Sequence, residues 1–260
     1  MKIENSSRKF ELCVVLVTFV LLASTSRLQA QVYGITDLGT LPGTSKSVAY
    51  ALNNLGQAVG VSSNPTADIA TLFSNGAITN LNTLGADVSV ATSIGGSGQV
   101  VGYNFFGAGA FLYSNGKMVS LGVPPGATSS YANAINGTGQ IAGVIYLASG
   151  PSHAALYSNG VWTDLGAFPG AAGTSATGIN TANQIVGTAV FPVKSYHPFR
   201  PGKHVGFIYR NGVLVDLNAL IPANSGFTIT DAAGINDSGQ ILCTATNTAA
   251  SAHAVLLNPK

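Results

Sequence analysis

Three histidines, His153, His204 and His253, recur at matching points of this chain, and three aspartates, Asp37, Asp164 and Asp216, each stand directly before a leucine. Imidazole and carboxylate are the groups of metal ligation and of acid–base catalysis. Hydrolysis of a glycosidic bond needs two carboxylates facing one pocket. Beyond residue 30 the only acids are seven aspartates, with no glutamate. An Asp-dependent glycoside hydrolase or lyase working in a central pocket would draw on Asp87 and Asp231. A serine triad has less to build on, because no Gly-x-Ser-x-Gly elbow occurs. Asn236-Asp237-Ser238-Gly239 has the composition of a turn rather than a calcium loop.

A second kind of chemistry is recognition. The stretch 191–203 holds three basic residues, Lys194, Arg200 and Lys203, three aromatics, Phe191, Tyr196 and Phe199, and three prolines. Prolines stiffen such a segment and lower the ordering cost of binding. Phe105, Phe106 and Tyr146 stand in two other predicted loops. With Lys194, Tyr196, Phe199 and Arg200 they form the candidate ligand-binding set, suited to stacking on sugar rings or clasping a peptide.

Composition narrows the classes. Lys2, Arg8 and Lys9 precede the twelve-residue apolar run 12–23, and Leu28-Gln29-Ala30 offers a cleavage point. This is the pattern of an export signal over residues 1–30. The run is short of the roughly 20 residues that cross a bilayer, so no membrane span is expected after cleavage. The remainder, 31–260, carries seven basic and seven acidic residues and is formally neutral. That balance argues against a nucleic-acid partner, whose binding rests on neutralised phosphates. One cysteine, Cys243, stays in the mature part, so no intrachain disulfide is expected despite an extracellular or periplasmic destination.

The elements that must position these side chains are repeats. Gln57, Gln99, Gln140, Gln184 and Gln240 each close a short polar turn, at successive spacings of 42, 41, 44 and 56. Asn-Gly pairs recur at Asn75-Gly76, Asn115-Gly116, Asn159-Gly160 and Asn211-Gly212. Asn-Gly supplies the positive φ angles of two-residue hairpins. Between these markers lie short β-branched or aromatic segments, without an apolar period of helical length. Four strands per repeat is the pattern of a propeller blade. The expectation is an all-β, five-bladed β-propeller-like fold over residues 31–260. Tyr33–Leu38 would act as an orphan outer strand beside His253–Leu257 and close the last blade. An open β-solenoid is the alternative. In the propeller arrangement, the Asn-Gly and Gly-Gln turns emerge at one end. The longer loops, read as Ser62–Asp68, Tyr103–Gly109, Tyr146–Ser152 and Ala189–Lys203, emerge at the other. The histidines then lie on separate third strands away from the axis, so no metal site and no cofactor are expected.

The words Ile35-Thr36-Asp37-Leu38-Gly39, Ala134-Ile135-Asn136, Gly98-Gln99-Val100-Val101-Gly102 and Ala110-Phe111-Leu112-Tyr113-Ser114-Asn115-Gly116 resemble those of the HAF-repeat family of bacterial extracellular proteins. The resemblance spans residues 33–260. The triplet that names that family is degenerate here, as His153-Ala154-Ala155, His204-Val205-Gly206 and His253-Ala254-Val255. The resemblance implies a secreted repeat protein and brings no catalytic residue with it. The expected function is a non-catalytic binding or surface-interaction module for polysaccharide or an extracellular protein, engaged through the long-loop end. The hydrolase reading and a structural role in the cell envelope are the alternatives.

Overall fold

The computed structural model describes residues 34–82, 88–105, 109–192 and 202–260. Gly34–Asp37 forms one unit of the chain, without regular secondary structure, and residues from Leu38 onward form a second. The second unit is built from five antiparallel sheets, each made from consecutive strands. The first holds β1 (Lys46–Leu52), β2 (Ala58–Ser63), β3 (Asp68–Ser74) and β4 (Ala77–Asn80). The second holds β5 (Ser89–Ile94), β6 (Val100–Asn104), β7 (Ala110–Ser114) and β8 (Lys117–Ser120). The third holds β9 (Ala127–Ile135), β10 (Ile141–Leu147), β11 (His153–Ser158) and β12 (Val161–Gly166). The fourth holds β13 (Gly173–Ile179), β14 (Ile185–Phe191), β15 (Lys203–Arg210) and β16 (Val213–Asp216). The fifth has three strands, β17 (Phe227–Ile235), β18 (Ile241–Asn247) and β19 (Ala252–Leu257).

The turn chemistry explains the order. At the four Asn-Gly pairs Asn75-Gly76, Asn115-Gly116, Asn159-Gly160 and Asn211-Gly212 both residues take positive φ, as at Asn115 (52°) and Gly116 (78°), and the third strand folds directly onto the fourth. The first-to-second connection is also local, and it explains the recurring glutamine. Asn136 Oδ1 accepts from the main-chain N–H of Thr138 and of Gln140, while its Nδ2 donates to Gln140 Oε1 at 2.8 Å. Asn53, Asn180 and Asn236 repeat this clasp with Gln57, Gln184 and Gln240.

Every first strand carries a bulge one residue wide, between Ala49 and Ala51, Ala91 and Ser93, Ala132 and Ala134, Ala176 and Gly178, and Ala232 and Gly234. The bulge swings a carbonyl over the second strand. A Cβ on Gly102 would collide with Val90 O, and one on Gly143 with Tyr131 O. The glycines of Val101-Gly102 and Ala142-Gly143 are therefore dictated by a close backbone approach.

Four apolar clusters fill the four seams between successive sheets. Phe111 is wholly buried between the first and second sheets, a burial that contributes about 1.5–3 kcal/mol. Trp162 on β12 lies between the second and third, where its indole N–H donates to Leu121 O at 3.1 Å.

Two expectations need adjusting. The long-loop segments are shorter than read, since Ser62, Ser63 and Asp68, Tyr103 and Asn104, Tyr146 and Leu147, Ala189–Phe191 and Lys203 all lie in strands. Gly60, Gly102, Gly143 and Gly187 are paired within the second strands. The fourth strand expected for the last sheet from residues 33–38 is not formed: Gly34–Leu38 has no strand, and Tyr33 lies outside the described residues. A fourth strand elsewhere is tied by a two-residue hairpin. Residues 33–38 would have to pay the closure entropy of the whole repeat array.

Candidate recognition site

Four aromatic side chains converge around the second and third sheets, toward the long-loop end. Tyr103 near the end of β6 and Tyr131 on β9 stack across the seam, with ring centroids 4.2 Å apart and planes 14° from parallel. Phe105, just past β6, meets both edge-on, at 5.4 Å from Tyr103 and 5.9 Å from Tyr131. Tyr146 on β10 completes the group at 5.1 Å from Tyr131. Tyr50, on the bulge of β1, lies near Tyr103. Offset and edge-to-face contacts of this kind hold rings rigidly and add about 0.5–1.5 kcal/mol per pair beyond area burial.

The cluster is anchored below and open above. Phe105 is 51% exposed, Tyr146 40% and Tyr50 55%, whereas Tyr103 and Tyr131 are half-buried. Burial raises the Tyr103 phenol above its usual value, and the neighbouring Tyr131, Tyr50 and Tyr146 raise it further. Burial likewise raises Tyr146, with Tyr131 adding to it. Raised phenols at Tyr103 and Tyr146 remain neutral hydroxyls, each able to donate one hydrogen bond and accept others.

Of the residues singled out in sequence, Phe105 and Tyr146 are brought together here. Phe106, Lys194, Tyr196, Phe199 and Arg200 lie outside the described residues, as does Asp87. Tyr103 and Tyr131, the stacked pair at the centre, were not among the candidates: Tyr131 sits inside a strand, and Tyr103, read as the start of a loop, lies in β6. A column-by-column comparison of repeats reveals them. The residue after the second-strand glycine is Val61, Tyr103, Val144 and Thr188, and the residue before the bulge alanine is Val48, Val90, Tyr131 and Ser175. Two positions further along the second strand the series reads Ser63, Phe105, Tyr146 and Val190. Aromatics appear in these columns only in the second and third repeats.

Asn104 lies between Tyr103 and Phe105 in sequence. It is 1% exposed, and among the described residues neither its Nδ2 nor its Oδ1 has a hydrogen-bond partner. Its counterparts are Ser62, Ile145, Ala189 and Ala245.

The ionisable candidates are engaged in separate local pairs. His153 Nδ1 lies 2.9 and 2.8 Å from the two carboxylate oxygens of Asp164. His204 Nδ1 lies 3.0 Å from Asp231 Oδ1, which also accepts from Thr188. His253 Nε2 lies 3.1 Å from the Asn247 amide nitrogen. Asp216 caps a short 3-10 turn at Leu217–Ala219 by accepting from Asn218 N. Burial raises Asp231, but hydrogen bonds from His204, Thr230 and Thr188 and the charge of His204 outweigh it and hold the carboxyl below its usual range. Among the described residues no three His, Cys, Asp or Glu side chains converge as a metal-binding group. An open groove of about 770 Å³ lies where Arg210, Leu217, Ile221, Ile241, Leu256 and Lys260 meet. Its charged lining side chains are Arg210 and Lys260.

No protein-family profile matches this chain, and no curated protein sequence does. Among solved structures, a chain from a structural and mechanistic analysis of two prolyl endopeptidases is similar at 10% identity, with a TM-score of 0.49. The similarity covers 83% of this chain and 34% of that one, so this chain spans about a third of its length. Among the described residues no helix is long and apolar enough to cross a membrane.

Proposed function

We propose that this chain is a secreted, non-catalytic recognition protein of the HAF-repeat type, which binds polysaccharide through the aromatic cluster of Tyr103, Phe105, Tyr131 and Tyr146. The observation that carries this reading is the stacked Tyr103–Tyr131 pair with Phe105 and Tyr146 exposed beside it. Ring faces offer apolar area matched to the C–H faces of a pyranose, and phenol hydroxyls offer hydrogen bonds to its hydroxyls. The rings lose little conformational freedom on binding, because packing has already fixed them. The site is formed by neutral groups, and the chain beyond residue 30 is neutral too, which suits an uncharged glycan better than a phosphate backbone. The export signal over residues 1–30 supports a destination where cell-surface polysaccharide is met. The Asn104 amide, without a partner among the described residues, supports the same site, since local cost tolerated in a fold tends to sit where function is served.

The test is calorimetric titration with soluble plant and bacterial polysaccharides, comparing the purified chain with a Phe105→Ala/Tyr146→Ala variant. The expected result is binding weakened at least tenfold with an unchanged melting temperature. Equal binding by the variant would move the site elsewhere. Release of reducing ends from the polysaccharide, lost on Asp231→Ala, would replace this reading with the hydrolase. Binding only to protein components of an extracellular fraction would replace the glycan with a polypeptide partner.

A further inference from the structure

The four seams reuse one pair of complementary faces. On the face each sheet offers to the next, Val59, Val101, Ala142 and Val186 occupy one column of the second strand, and each is 0% exposed. Leu242 of the fifth sheet stands in that column and is 50% exposed. In the third strand the column holds Leu72, Leu112, Leu156 and Ile208, all packed into a seam. The fifth-sheet counterpart, Leu256, is 52% exposed. The opposite face shows the converse. Ala91, Ala132, Ala176 and Ala232 lie buried against the preceding sheet, at 0, 0, 0 and 1% exposure. In the first sheet the equivalent Ala49 is exposed, and Leu52, the counterpart of the buried Ile94 and Ile179, is 70% exposed.

The polar clasp follows the same rule. Asn53 Nδ2 donates to Gly95 O across the first seam at 3.1 Å, Asn136 to Asn180 O across the third at 3.0 Å, and Asn180 to Asn236 O across the fourth at 3.1 Å. Asn236 presents an identically held amide, bonded to Gln240 at 2.9 Å, and the carbonyl of Asn53 is the matching acceptor. The leucine that begins each crossing completes the set. Leu81, Leu121, Leu165 and Leu217 are buried in the next seam at 9% exposure or less, while Leu38 is 45% exposed.

Repeat arrays ordinarily end in sheets with a polar outer face. Here the fifth sheet keeps a seam-forming face and the first sheet keeps the face that fits it. We infer that the fifth sheet of one molecule docks on the first sheet of a second copy of this chain, head to tail, forming a seam of the same kind as the four internal ones. The new seam places Leu242 and Leu256 against Ala49 and Leu52, with Leu38 beside them, and Asn236 Nδ2 against Asn53 O. Such an interface uses different surfaces on the two partners, so association propagates into a closed ring of molecules or a filament.

Sedimentation of the purified chain over a wide concentration range tests this. Dimers and larger species growing with concentration are expected, and Leu242→Asp, which places an unpaired charge in the seam, weakens association on the order of a hundredfold. Leu242 is half exposed in the single chain, so that variant retains the far-ultraviolet circular dichroism of the parent. An Asn53→Cys chain mixed with an Asn236→Cys chain is expected to yield a disulfide-linked pair, whereas neither cross-links alone. A strict monomer at every concentration would overturn the proposal, as would association indifferent to Leu242→Asp. So would a double Asn53→Cys/Asn236→Cys chain that cross-links only within itself, which would show the fifth sheet meeting its own first sheet.

Discussion

The side-chain amide of Asn136 donates to the main-chain carbonyl of Asn180 at 3.0 Å, from one turn to the equivalent turn of the next sheet. The same side chain holds its own turn through Thr138 and Gln140. One residue thus fixes a hairpin and ties two sheets. Gly95 occupies the equivalent place in the second repeat and has no amide to offer.

Replacing Asn136 with alanine removes the seam bond and the turn bonds together. The expected loss is about 1–3 kcal/mol, the usual cost of leaving buried partners unsatisfied. The converse substitution, Gly95→Asn, supplies the missing amide to Asn136 O. A Cβ at Gly95 meets nothing closer than 3.8 Å, so the gain is about 0.5–1.5 kcal/mol. Urea unfolding of the two variants, read as a shift in midpoint at constant slope, checks both signs.

Gly143→Ala drives a methyl into Tyr131 O. The bulge between Ala132 and Ala134 must shift or the strands must part, at about 3 kcal/mol or more, in the upper range for single substitutions. Gly137→Ala serves as the control, because its nearest contact would be the flexible Thr181 methyl at 3.4 Å. Thermal melts of the pair should separate strongly.

Asn104→Leu replaces an amide without partners among the described residues by an apolar side chain of similar volume. It loses no hydrogen bond and relieves the desolvation cost, so a gain of about 1–3 kcal/mol is expected. A raised melting temperature supports this. An unchanged or lowered one would show that the Asn104 amide is satisfied in solution.

Asp231 ties the fourth and fifth sheets through His204 and Thr188. Its folded-state pKa is lowered, so the folded protein favours the carboxylate. The resulting stability is fully present above the unfolded value of about 4 and is lost as pH falls through the lower folded one. Melting temperature measured from pH 6 down to pH 2 should therefore fall more steeply in the parent than in Asp231→Asn. Equal slopes would show that Asp231 does not link folding to protons.

Much of this architecture is legible in the chain. The Asn-Gly pairs announce the hairpins because few residues tolerate two consecutive positive φ angles. The spacing of the glutamines counts the sheets, since Gln57, Gln140, Gln184 and Gln240 each belong to a turn that cannot be lengthened without losing its clasp, and Gln99 closes the equivalent turn at Gly95. The seam role of Asn53, Asn136 and Asn180 was not legible, because a turn asparagine looks the same whether its amide faces solvent or a neighbouring carbonyl. The recognition site was half legible. Phe105 and Tyr146 stood out as loop aromatics, but Tyr131 read as an ordinary strand residue and Tyr103 as the start of a loop, and only the packing of the second sheet on the third brings these two rings into contact. The three-strand fifth sheet ran against the sequence reading, since residues 34–38 carry the right word without the hairpin that would hold it.

Trp162, the only tryptophan, reaches from β12 to the carbonyls of Leu121 and Gly122 across the seam that Tyr103 and Tyr131 also bridge. Its indole is therefore a built-in optical gauge of the angle between those two sheets. A ligand that pries or clamps the tyrosine pair will change that indole's hydrogen bond and its emission wavelength, so occupancy can be followed on the unlabelled protein in real time.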